Sequence, residues 1–229
     1  MSEFVVDRSF SMFFRNPATH EAALQLLADT FRRLHALPIP AGAGGRKPHE
    51  FLALGWQELE ARGGVPGFAA DLVRRALDAP IPDDGRAPVL SHNDPNPTNM
   101  VFDGTRLVLL DWDAAGPMHP FYDLAAVAVF LRFDDGIVRR LLSAYTGAPV
   151  AEVPEVFRAL RRLIGVLCGM MMLRLARLAG HPGDAAATLD TTLALGDFYA
   201  RLMTGAVNVG SPDGQWQFGL ALFKESAGA

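Results

Sequence analysis

The sequence predicts an α+β, mainly helical fold built around one small β-hairpin, and three observations predict it. Asp103-Gly104 separates two short apolar runs, Met100 to Phe102 and Leu107 to Leu110, which is a strong short-range hairpin signal. Apolar residues recur at helical spacing both before and after that hairpin. The chain has 229 residues, 50% of them hydrophobic, enough to bury a sizeable core as one large domain or two small ones.

The elements follow in order. After an extended opening, Asn16 and Pro17 form an N-cap and first-turn pair, and Leu24, Leu27, Phe31 and Leu34 then mark a helix that stops at Pro38. The stretch Pro38 to Pro48 is too rich in glycine and proline for regular structure and reads as a mobile loop or seam. Two shorter helices are expected near Glu50 to Ala61 and Gly67 to Leu77, separated by Gly63 and Gly64. Val89 and Leu90 begin the β-forming region, which the hairpin completes. From Phe121 onward the pattern is helical, with segments near Phe121 to Phe133, Ile137 to Tyr145, Pro154 to Ala179 and Asp184 to Met203; Gly180 and Pro182 mark a stop.

Bulk properties narrow the function classes. A formal charge of −4 and a pI near 5.8 give no basic footprint, so no nucleic-acid partner is expected. The N-terminus has neither a basic region nor a long apolar stretch. The most apolar segment, Leu163 to Leu173, falls short of the ~20 residues a membrane-spanning helix needs. No membrane partner and a cytoplasmic location follow as expectations. The single cysteine, Cys168, lies in an apolar run and reads as a buried reduced thiol.

Chemistry concentrates between Ser91 and Asp123. His92, Asp94 and Asn99 fit the pattern H-x-D-x-x-x-x-N, similar to the catalytic loop of kinases, and Asp111 follows the second hairpin strand. Phosphoryl transfer demands positioning and charge neutralisation more than covalent help. Asp94 is the candidate base for an attacking hydroxyl. Asn99 and Asp111 offer the hard oxygen ligands that suit Mg²⁺, and a hairpin running out and back would bring them together. Taken singly, His-x-Asp reads as a loop hydrogen-bond pair, Asn99 as a turn residue and Asp111 as a helix cap; only the combination points to catalysis.

HNDPNPTN, LLDWDAAGP and FYDLA together resemble the signature of the aminoglycoside phosphotransferase and choline kinase superfamily. The resemblance implies the C-terminal lobe of a protein-kinase-like fold. It implies Asp94 as catalytic base, Asn99 and Asp111 as metal ligands, and His92 and Asp123 as structural supports of the catalytic loop. Asn93 and Asp113 are candidates for the pocket edge, with local hydrogen bonding an equal reading for Asp113. Many relatives have glycine where this chain has Asn93, a variant familiar from choline and ethanolamine kinases. Leu27 to Pro38 is similar to the helix that follows the interlobe hinge, ending in a Leu-His pair. On this reading residues 1–15 are a hinge remnant and 16–229 the phosphotransferase lobe, with a catalytic core at 89–125 and a helical substrate subdomain at 126–205.

The implied function is ATP- and Mg²⁺-dependent phosphorylation of a hydroxyl on a small molecule such as an amino alcohol, aminoglycoside or sugar. Family members also carry a Gly-rich phosphate loop, a strand lysine and a helix glutamate before the hinge. Here the one lysine of the first half, Lys47, sits in a Gly/Pro loop, and Gly42 to Gly45 follow the first helix. The alternative is therefore a truncated, weak or inactive kinase-like binding module that lacks the nucleotide-gripping lobe; a third reading has another chain or upstream sequence supply that lobe. A face left uncovered there would favour a homodimer. Phe198, Tyr199, Trp216, Phe218 and Met170 to Met172 read first as packing residues. Arg158, Arg161, Arg162, Arg174 and Arg177 read as a solvated helix face.

Overall fold

A computed structural model describes residues 7–45 and 47–228. Its elements run α1 (Phe10–Arg15), α2 (His20–His35), α3 (Pro48–Arg62), α4 (Gly67–Asp78), β1 (Val89–Ser91), β2 (Met100–Phe102), β3 (Leu107–Leu109), β4 (Gly116–Met118), α5 (Tyr122–Phe130), α6 (Asp135–Thr146), α7 (Glu155–Leu178), α8 (Leu195–Met203) and α9 (Pro212–Ala227). Short 3₁₀ turns at Pro97–Asn99 and Trp112–Ala114 precede β2 and β4. The mainly helical α+β expectation holds, and so does the hairpin, with Met100 opposite Leu109 and Phe102 opposite Leu107. Its turn is built by Asp103, whose carboxylate accepts hydrogen bonds from the backbone N–H groups of Thr105 and Arg106. Those bonds, the Arg106 backbone first, hold the Asp103 carboxyl well below the usual carboxylate range.

Four details differ from the expectation. Residues 1–6 of the opening lie outside the described residues, while 10–15 are helical, because Phe10 and Phe14 fall one turn apart and are both buried. Asn16 accordingly ends α1 instead of starting α2: its N–H bonds Met12 O, and its Oδ1 accepts the Ala18 N–H. The segment 184–194 is not helical. There Thr188, Thr191 and Thr192 hydroxyls bond locally, and the Lys224 ammonium donates to the carbonyls of Leu189 and Thr192, satisfying backbone a helix would otherwise use. β4 and α9 were not expected. Gly116 and Pro117 are poor strand formers, yet they pair with β1; α9 carries its own signal in Ser211-Pro212, whose hydroxyl caps Gly214 N–H at 3.1 Å.

The chain divides into two compact units, Met1–Arg46 with Pro82–Leu160, and Lys47–Ile81 with Arg161–Ala229. In the first, α2 packs on α6 and α1. Ala23, Leu24, Leu27, Ala28, Phe31 and Leu34 bury one stripe of α2, as its apolar spacing dictates. α5 is buried almost all round, with Asp123 the one charged residue in that environment. Phe14 stacks on Phe133 at 4.7 Å and Phe13 on Phe102 at 4.5 Å, fixing α1 beside the hairpin.

The second unit has its own core, in which Leu52, Trp56 and Leu59 of α3 meet Leu72 and Val73 of α4, Leu167, Met170 and Leu173 of α7, and Trp216, Leu220 and Phe223 of α9. α7 and α9 approach closely through glycines: a Cβ on Gly219 would lie 2.8 Å from Gly169 O. The helix-face arginines are engaged: Arg174 pairs with Glu58 at 2.5 Å and Arg177 donates to Arg62 O at 2.7 Å. In the first unit Arg158 likewise pairs with Asp135 at 2.5 Å. Phe198 is buried and stacks on Phe218 at 4.9 Å, a packing role as expected.

Candidate active site

All the sequence-predicted site residues fall in the first unit, and the structure builds them from the β1 end outward. Asp123, fully buried in α5, is the hub. Its Oδ2 accepts the His92 N–H at 2.9 Å and its Oδ1 the Asn93 N–H at 2.8 Å. His35 at the end of α2 completes the shell, with Nε2 3.0 Å from Oδ2. A buried carboxylate is tolerable only when so paired, and here three donors surround it. The loop backbone is thereby tied to α5 and α2 before any side chain of the loop is placed.

His92 is completely buried and bridges backbone groups on both sides of the site. Its Nδ1 accepts the Asp94 N–H at 3.3 Å, which leaves the hydrogen on Nε2 to donate to Leu110 O at 2.8 Å. One imidazole thus ties the loop that carries Asp94 to the strand end that carries Asp111. The Trp112 ring lies 4.8 Å from it, and the indole N–H donates to Leu109 O.

Two residues here have left-handed backbones, Asn93 (φ 66°) and Asp111 (φ 59°). Asparagine and aspartate tolerate that region better than other L-residues, which accounts for asparagine at position 93 and aspartate at position 111. The Asn93 side chain turns inward, its Nδ2 donating to Ala114 O at 3.0 Å and Gly116 O at 3.3 Å, and so holds β4 to the loop. The Gly/Pro segment reaches the same place: a Cβ on Gly116 would lie 2.8 Å from Gly44 O.

Asp94 and Asn99 are brought into direct contact. The Asn99 amide nitrogen donates to Asp94 Oδ2 at 3.1 Å and to Asp94 O at 3.0 Å, and Asn96 Nδ2 donates to Oδ1 at 3.1 Å. With its nitrogen so committed, the Asn99 carbonyl oxygen makes no hydrogen bond to the described residues. Leu110 N–H donates to Asn99 O at 2.9 Å, placing Asp111 one residue from that junction. Neither Asp111 nor Asp113 has a side-chain hydrogen bond or ion pair among the described residues; both are exposed. The Asn99 amide and the Asp111 carboxylate are both hard oxygen donors of the kind that suits Mg²⁺, on segments joined by the Leu110 N–H bond to Asn99 O.

Sequence reasoning had not singled out Tyr145. Its hydroxyl lies 2.8 Å from His35 Nδ1, continuing the line Asp123, His35, Tyr145 from the loop toward the end of α6. Burial, and then the Asp123 carboxylate, push the Tyr145 phenol up to about 12. A phenol raised in the folded state contributes stability that is fully present below its unfolded value near 10 and is lost as pH rises toward about 12. A Tyr145→Phe chain should therefore show a flatter decline in unfolding midpoint across that window; identical profiles would contradict the contact.

Residues 13–160 match the model of the APH phosphotransferase enzyme family. Among solved structures, the chain resembles a choline/ethanolamine kinase family protein from Mesorhizobium loti, with TM-score 0.54 at 18% identity over 96% of this chain and 68% of that one. It also resembles a macrolide 2'-phosphotransferase type I (TM-score 0.52, 22% identity, 69% of this chain and 54% of that one). A third is APH(2")-IIIa in its GDP and kanamycin complex (TM-score 0.58, 16% identity, 78% and 63%). At such identities the likeness is one of fold, and this chain spans 54% to 68% of those three. No curated protein matches. The fold is that of the mainly helical lobe of the aminoglycoside phosphotransferase-like kinase fold. The chain itself belongs to the phosphotransferase enzyme family.

Among the described residues, no helix is long and apolar enough to cross a membrane.

Proposed function

We propose that this chain carries the catalytic lobe of an ATP- and Mg²⁺-dependent phosphotransferase that acts on a hydroxyl of a small molecule, an amino alcohol, aminoglycoside or sugar. The observation that carries the reading is the Asp94 carboxylate held by the Asn99 amide, with Asp111 one residue from the Asn99 backbone contact. Asp94 accepts the proton of the acceptor hydroxyl as it attacks, and its hydrogen bonds from Asn96 and Asn99 orient it for that task. Asn99 and Asp111 would hold Mg²⁺, which supplies charge neutralisation on the nucleotide phosphates. Asp123, His92 and His35 fix the loop so that little reorganisation is needed at the moment of transfer. The GDP in the APH(2")-IIIa complex supports a nucleotide as phosphoryl donor.

Residues 89–125 form the catalytic core in this reading and 126–205 a helical substrate subdomain, with the protein working in the cytoplasm. A second reading rests on the lysines. The sequence has two, Lys47 and Lys224. Lys47 precedes α3 and pairs with Glu50 at 2.8 Å, while Lys224 is committed to two carbonyls, so neither stands on a strand to grip phosphates. The chain would then be a weak or non-catalytic kinase-like module unless the grip is supplied from elsewhere.

Thermal unfolding in millimolar ATP, with and without Mg²⁺, separates the two. A working site predicts a Mg²⁺-dependent rise in midpoint, since a ligand at about 100 times its Kd adds about 2.7 kcal/mol. No rise, together with no acceptor-dependent ATP consumption across a panel of small hydroxyl compounds, would favour the module.

A further inference from the structure

The second unit contains a cavity of about 500 Å³ that the phosphotransfer residues do not enter, since Asp94, Asn99 and Asp111 all belong to the first. Its walls are the 181–184 loop, the 187–193 turn, α8 and α9. These walls are pinned from behind. Arg177 donates to His181 O at 2.6 Å, Asp184 N–H to Gly64 O at 2.9 Å, and Lys224 holds the carbonyls of Leu189 and Thr192. His181 stacks flat on Trp216 at 4.5 Å, giving one wall a rigid aromatic pair. A volume of this size, with walls fixed in advance, suits a small ligand.

The lining carries charge of both signs. The Arg201 guanidinium makes no hydrogen bond or ion pair with the described residues, and it shares the lining with Asp184 and Asp213. Asp213, largely exposed, lies 3.4 Å from His181 Nε2. Ala187, Leu193 and Leu220 supply the apolar remainder.

We infer that this cavity is a second small-molecule site, and that it takes a zwitterion of the free amino acid class. A carboxylate answers Arg201, an ammonium answers Asp213 and Asp184, and a short aliphatic side chain covers the apolar part. A simple anion would leave the two carboxylates opposed to it, and a simple cation would leave Arg201 unanswered.

Binding alone tests this, without reference to phosphotransfer. Saturation-transfer NMR on the full chain would be run with individual common amino acids up to about 10 mM, enough to detect roughly millimolar affinity, beside isovalerate and isopentylamine as single-charge controls. The expected result is saturable binding of one or more aliphatic or hydroxylated amino acids, with both controls at least about tenfold weaker. Arg201→Ala and Asp213→Asn alter exposed side chains and should keep the parent unfolding midpoint while each weakens that binding by about tenfold or more. Absence of binding by every amino acid, controls that bind equally well, or affinity unchanged in both folded variants would overturn the assignment.

Discussion

Asp94→Asn is expected to lower acceptor-dependent phosphotransfer by about 10²- to 10⁴-fold, with the folded structure intact. The size follows from what the substitution removes. Asparagine has nearly the same shape, its one side-chain oxygen can still accept from either Asn96 or Asn99, and the Asn99 bond to the backbone carbonyl of residue 94 is kept, so the loop retains part of its support. What it cannot do is take a proton from an attacking hydroxyl. Such a loss corresponds to about 2.7–5.4 kcal/mol of transition-state stabilisation. Turnover should fall while nucleotide-induced stabilisation stays near the parent value. Equal turnover in both proteins would remove Asp94 from the role of base.

Asp123→Ala carries the second large effect, and it falls on stability as well as on turnover. The substitution strips the acceptor from three buried donors at once: His92 N–H, Asn93 N–H and the His35 ring. Breaking a buried, fully paired group in this way costs about 3–5 kcal/mol. In a domain of ordinary stability that is a large fraction of the total. Urea unfolding should show the midpoint falling by a corresponding amount, and the surviving folded fraction should transfer phosphoryl groups slowly, because the backbone on which Asp94 stands is no longer fixed. Asp123→Asn keeps one acceptor oxygen and should fall between the two. A parent-like midpoint in the alanine chain would show that the brace is dispensable.

Much of this arrangement was legible in the sequence because it is local. The residues His92, Asp94 and Asn99 lie within one loop, and the Asp103-Gly104 turn fixes how the chain returns to Asp111. The helices with strong apolar stripes, such as α2, were equally readable. What escaped depends on long-range partners. Nothing local tells that Tyr145 meets His35 across 110 positions, or that Gly116 pairs with Ser91 as a strand despite its neighbour Pro117. The 184–194 segment defeated the helical reading because Lys224, far along the chain, takes carbonyls that a helix would have kept for itself. Asn93 illustrates the intermediate case: its departure from the usual glycine was visible, but the reason, a left-handed backbone with a side chain turned inward to Ala114 and Gly116, required the fold.

Under the proposed function, Asp94, Asn99 and Asp111 serve one metal-nucleotide site. Mn²⁺ binding in the presence of ATP, followed by electron paramagnetic resonance, tests it most directly, since Mn²⁺ shares the oxygen preference of Mg²⁺. Asn99→Ala and Asp111→Ala should each weaken nucleotide-dependent Mn²⁺ binding by about tenfold or more, while Asp113→Ala leaves it unchanged. Full Mn²⁺ affinity in both of the first two variants would show that Asn99 and Asp111 do not hold the metal.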